Sequence, residues 1–157
     1  MNTTTSTAHF TTVSPLNNEV YCQRAYATAA ELEFVLEQAK RAQLDWAETC
    51  FEQRTELCLA VIDYFEQHAD EIALEICWQM GRPLQQCYGE IKGLAERGRY
   101  MISIAEQSLA AIEFPLESGQ YRAIVREPLG LVMVMAPWNY PFLTAINSVI
   151  PAIMAGN

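Results

Sequence analysis

The residue whose type and setting could do chemistry is Asn139. It sits in the string Ala136-Pro137-Trp138-Asn139-Tyr140-Pro141, directly after the apolar run Leu131-Val132-Met133-Val134-Met135. A side-chain amide is a neutral, fixed hydrogen-bond donor, which is what a developing oxyanion needs. In open α/β sheets ligands bind just beyond the carboxyl ends of strands, and Asn139 would lie just past such an end. Asn is also common in turns for reasons of its own, so spacing alone leaves a purely structural turn residue as an equal reading. Trp138 likewise reads either as part of a site or as a core aromatic.

Two elements would have to position this turn. The run 131–135 has the composition of a strand covered on both faces, the kind a parallel sheet needs. Pro141 can open a helix, with Gly156-Asn157 closing it. Residues 128–157 contain no Asp, Glu, Lys, Arg or His. A membrane span is nevertheless disfavoured, because Pro137, Pro141, Pro151, Asn139 and Asn147 would break the backbone or bury polar groups in lipid. Just upstream, Tyr121, Ala123 and Val125 alternate with Arg122, Ile124 and Arg126, which describes a half-exposed strand. Glu127-Pro128-Leu129-Gly130 is a turn, so residues 121–135 read as a hairpin-like strand pair.

The front of the chain reads as helices. Residues 1–13 are expected to be a disordered N-terminus, polar and small with little to bury. Ser14-Pro15-Leu16-Asn17-Asn18 is a turn cluster, and residues 19–26 allow a short strand. Thr28-Ala29-Ala30-Glu31 is a capping box, after which Leu32, Val35, Leu36, Ala39, Ala42 and Trp46 recur at helical spacing and predict one buried face. Thr49-Cys50-Phe51-Glu52 offers a second box. The apolar line Cys58, Val61, Ile62, Phe65, Ala69, Ile72, Ile76, Met80 then runs through a weak point at His68-Ala69-Asp70. Gly81 supplies a left-handed stop and Pro83 suits the first turn of a third helix, which carries Ile91, Leu94, Met101, Ile102, Ala105 and Leu109 inward.

Composition narrows the function classes. A length of 157 residues suits one domain, and the net charge of −9 would repel a phosphate backbone, which argues against nucleic acid as a partner. Cys22, Cys50, Cys58, Cys77 and Cys87 form no CxxC pair and have no His at ligand spacing, so neither a metal site nor a disulfide framework is supported. No basic or apolar leader pattern opens the chain, and a soluble cytoplasmic protein is expected.

Three strings, Arg126-Glu127-Pro128-Leu129-Gly130-Leu131-Val132, Ala136-Pro137-Trp138-Asn139-Tyr140-Pro141 and Pro151-Ala152-Ile153-Met154-Ala155-Gly156-Asn157, resemble the NAD(P)-dependent aldehyde dehydrogenases. The resemblance extends upstream through Trp46, Arg54, Leu57, Glu75 and Met80-Gly81-Arg82-Pro83, covering nearly the whole chain from Ser14. Among subfamilies it looks most like those acting on succinate semialdehyde and related small aldehydes. It implies an α/β fold: N-terminal helices plus the first strand-turn-helix of the cofactor-binding domain, incomplete, over residues 14–157. It further implies that Asn139 donates its amide to the oxygen of thiohemiacetal and thioester intermediates. Ala136, Pro137 and Trp138 would line the nicotinamide-ribose end of NAD or NADP. The strand near residues 121–126 would help build the arm through which subunits pair.

In the family the catalytic Cys, the water-activating Glu and the ribose-binding Lys lie further along than residue 157. The expectation is therefore a fragment that supplies one catalytic group and is inactive alone. An alternative is an interaction module that docks on a complementary fragment or a full-length subunit, its unpaired strand and apolar last helix providing the surface. The aldehyde, and the choice between NAD and NADP, stay open.

Overall fold

The computed structural model describes residues 8–116 and 119–157; residues 1–7 of the expected disordered N-terminus lie outside them. The elements run β1 (His9–Val13), β2 (Val20–Ala25), α1 (Ala29–Ala47), α2 (Phe51–Gln67), α3 (Ala69–Met80), α4 (Leu84–Leu109), β3 (Ile112–Glu113), β4 (Ala123–Ile124) and α5 (Pro141–Met154). Helices dominate, and the two sheets are two-stranded antiparallel ribbons, β1 with β2 and β3 with β4.

The core lies where α2, α4 and α5 meet. Cys58 and Ile62 of α2, Leu94, Ala95 and Ile102 of α4, and Ile146, Ile150 and Met154 of α5 form one buried cluster. A second cluster joins α3 to α4 through Ala73, Ile76, Cys87 and Ile91. Close approach of α2 to α4 depends on Gly98, since a Cβ there would sit 2.6 Å from Cδ1 and 3.1 Å from Cγ1 of Ile62. At the end of α3, Gly81 takes φ +76°, a left-handed conformation that other residues adopt only with strain.

Several expectations hold and several do not. The Thr28 box is present: the Glu31 N–H donates to the Thr28 hydroxyl at 3.2 Å and Glu31 accepts from the Thr28 N–H at 2.7 Å. The second box shifts by one residue. The Thr49 hydroxyl is engaged by the Trp46 carbonyl and by Arg54, so Cys50 becomes the cap and Gln53, not Glu52, accepts from its N–H. The weak point at His68 is a helix boundary. Residues 9–13, expected within the disordered N-terminus, form β1 instead. The hairpin is anchored on α3, where Ser14 donates to the Trp78 carbonyl at 2.6 Å and Tyr21 donates to Glu75 at 2.7 Å while stacking on Trp78.

The apolar face of α1 is not buried. Leu32, Val35 and Leu36 are exposed, because α1 is tied to the rest by Gln43 and Trp46 near its end. The hairpin-like pair of residues 121–135 is not formed either: β4 pairs with β3, and the run 131–135 has no ladder partner among the described residues. A strand exists through its ladder, and no described segment pairs with this one. Met133 and Met135 are accordingly 82% and 81% exposed.

Replacing Gly98 with Val should force α2 and α5 away from α4 and cost about 1–3 kcal/mol. A lowered urea midpoint at unchanged helix content by circular dichroism is the expected result.

Candidate active-site turn

Both ends of α5 are held by side chains from other helices. At its start Pro141 fills the first helical position, where a missing N–H costs nothing, and the next two amides point at Glu90 of α4. Glu90 Oε1 accepts from the Phe142 N–H at 2.9 Å and the Leu143 N–H at 3.3 Å. Its other oxygen takes a 2.5 Å hydrogen bond from Arg82. Glu90 is 1% exposed and Arg82 8%. A carboxylate at a helix N-terminus is favoured by the helix dipole, and a buried charge persists when it is both paired and hydrogen-bonded. Truncating one partner of such a pair costs about 3–5 kcal/mol, since the other is left buried and uncompensated.

Arg82 reaches further. Its second terminal nitrogen donates to the Asn139 backbone carbonyl, and its guanidinium lies 4.0 Å from the centre of the Tyr140 ring. The planar, forked donor thus meets the carboxylate, the turn carbonyl and an aromatic face at once, which a lysine ammonium could not do. Asn139 is held through its backbone carbonyl, and the residue is exposed.

At the other end of α5, Trp46 donates to the Ile153 carbonyl at 3.1 Å, Arg54 to Met154 at 3.1 Å and Gln43 to Gly156 at 3.0 Å. A cation there matches the negative end of the dipole. The Asn157 side chain accepts from Leu129 and Gly130 N–H at 2.6 and 3.0 Å, fixing the turn that precedes the run 131–135.

The structure therefore brings Ala136, Pro137, Trp138 and Asn139 together on one exposed, charge-free turn. Trp138 is 78% exposed, not a core aromatic, and borders an open groove of about 600 Å³ that Thr12, Pro15, Ile76, Met80 and Phe142 also line. Arg82 and Glu90 carried no functional reading in the sequence. The signal was there: Glu90 falls on the inward stripe of α4 beside Cys87, Ile91 and Leu94, and a charge in such a place needs a partner.

Cys58 and Cys87 are not nucleophiles poised for Asn139. Cys58 and Cys87 are buried, and burial pushes the Cys58 thiol up to about 11 and raises that of Cys87, whose S–H points at the Arg82 and Pro83 carbonyls. Exposed Cys50 opens α2 beside the far end of α5, a helix of 14 residues and so about 21 Å long. Among the described residues no group of three or more His, Cys, Asp or Glu could hold a metal ion, and no helix is long and apolar enough to cross a membrane.

A long α-helical layer, an extended segment, an exposed turn and a helix clamped at both ends make up an incomplete α/β domain. The NAD-dependent benzaldehyde dehydrogenase of Corynebacterium glutamicum superposes with a TM-score of 0.87 at 26% identity, over 98% of this chain and 33% of that one. The chain belongs to the aldehyde dehydrogenase family, whose model matches residues 2–157. It is 34% identical over 151 residues to a succinate-semialdehyde dehydrogenase [NADP(+)] of Mycobacterium avium (strain 104), covering 93% of this chain and 32% of the relative. It is 30% identical over 150 residues to a fluoroacetaldehyde dehydrogenase of Streptantibioticus cattleyicolor, covering 95% and 29%. The chain thus spans about a third of the length of the curated relatives it matches.

Iodoacetamide at pH 8 should alkylate Cys50 first and leave Cys58 and Cys87 unmodified in the folded chain, because a raised pKa keeps a thiol protonated well above that pH. Peptide mapping before and after denaturation reads the difference; fast labelling of Cys58 would contradict the packing.

Proposed function

We propose that this chain supplies the oxyanion donor and one edge of the cofactor site to an NAD(P)-dependent aldehyde dehydrogenase that oxidises a small aldehyde to its acid. The observation that carries the reading is the Asn139 turn, fixed by its backbone and open at its side chain, in a chain of this family. Attack of a cysteine thiolate on the aldehyde carbon places negative charge on the former carbonyl oxygen, and the Asn139 amide is the group offered to that charge. A preorganised neutral donor costs no reorganisation as the charge develops. The exposed, uncharged surface of Ala136, Pro137 and Trp138 fits a flat nicotinamide ring and its ribose. NAD or NADP bound there would accept the hydride that leaves the aldehyde carbon.

The attacking thiol and the water-activating carboxylate come, on this reading, from the portion of the relatives that this chain does not span. Cys58 and Cys87 are buried and Cys50 opens α2 at the other end of α5, and on this reading the 157 residues alone do not turn over aldehyde. The bared apolar surfaces of α1 and of the run 131–135 favour a second step, docking on a complementary segment or a full-length subunit. Five unpaired cysteines support a reducing, cytoplasmic setting.

The test is complementation. The chain, co-expressed with a segment matching the remaining two thirds of a relative, should co-elute with it and form NAD(P)H from succinate semialdehyde or another small aldehyde. Asn139→Ala should then lower turnover about 100- to 1000-fold. Activity of the chain alone, or full activity of the Ala variant, would overturn the proposal.

A further inference from the structure

We infer that Arg82 and Glu90 are positioning residues for the Asn139 donor, acting as a charge-neutral clamp; this rests on the donor role proposed above for Asn139. Three observations converge. Arg82 donates to the Asn139 carbonyl and so fixes the peptide plane between Asn139 and Tyr140. It stacks on the Tyr140 ring, blocking rotation of the next residue. Glu90 fixes the amides of Phe142 and Leu143, two and three residues further on.

The chain is therefore held at the donor's own carbonyl and through the four residues that follow it, by two side chains that hold each other. The Asn139 side chain takes no part in the clamp. Neutrality matters as much as rigidity. Glu90 absorbs both the guanidinium charge and the positive end of α5, so neither is left to draw water or a stray anion to the turn. The amide of Asn139 then faces the substrate oxygen without a competing charge beside it.

The experiment is ¹⁵N relaxation and amide exchange on the labelled full chain, comparing wild type, Arg82→Lys, Glu90→Gln and the control Arg54→Lys at the far end of α5. In the wild type the Asn139 backbone should be as ordered as the helices, with an order parameter near about 0.85. Arg82→Lys keeps a cation but loses the fork, and should drop Asn139 below about 0.6. Glu90→Gln should speed exchange of the Phe142 and Leu143 amides at least about tenfold by weakening a charge-assisted bond. Arg54→Lys should leave all three positions unmoved.

A mobile Asn139 in the wild type, which needs no variant to fold, would overturn the clamp; so would equal loosening by Arg54→Lys or none by Arg82→Lys. With the complementing segment present, Arg82→Lys should cut turnover per active site about tenfold at an unchanged aldehyde KM, because the donor is displaced and not removed. A loss confined to KM would refute the positioning role. The order-parameter contrast reads the clamp whether or not activity appears, whereas a silent wild-type complement counts against the proposed function alone.

Discussion

The buried Arg82–Glu90 pair joins two regions distant in sequence: the end of α3 with the inward face of α4, and the turn at Asn139 with the start of α5. Helix α5 carries no charge of its own and so cannot pair with its neighbours through ions. Its orientation is set by packing of Ile146, Ile150 and Met154, which is directional only in part, and by what its two ends bond to. A carboxylate at one end and a guanidinium at the other turn the helix dipole into an alignment force. The pair is also costly to bury, and this cost is offset because both carboxylate oxygens and both terminal guanidinium nitrogens find a partner.

That arrangement explains how a surface turn can be ordered without being packed. Trp138 and Asn139 contribute little to the core, and their exposure would ordinarily mean mobility. Here the order is imported from beneath through backbone carbonyls and amides, which leaves the side chains free. A donor that must meet a transient oxyanion needs this separation between the groups that hold the backbone and the group that reacts.

The local rules were readable where local residues decide. The Thr28 box, the left-handed Gly81, Pro141 at the head of α5 and the apolar stripes of α2 to α4 each follow from spacing and side-chain chemistry within a few residues. Asn139 and its neighbours were legible as a turn past an extended run. What failed were inferences that need a partner far away. Residues 9–13 look too polar to fold, yet their backbone pairs with β2 and the hairpin is pinned through Ser14 and Tyr21 to α3. Thr49 looks like a cap until Trp46 and Arg54 compete for its hydroxyl. Arg82 stood out only within a family string and Glu90 not at all, because the meaning of each lies in the other.

The two apolar surfaces left bare, one face of α1 and the run 131–135, share a cause with the donor's isolation. Periodicity predicts that a face will be covered but not by what, and among the described residues Leu32, Val35, Leu36, Met133 and Met135 stay exposed. The run 131–135 leads directly into the Asn139 turn, so any partner that completed its ladder would fix the turn from the side opposite the clamp. On the proposed reading, the clamp would set where Asn139 is before such a partner arrived, and the ladder would set what it faces. A turn built this way can be ordered early and become useful late, which suits a residue whose role depends on groups it does not itself carry.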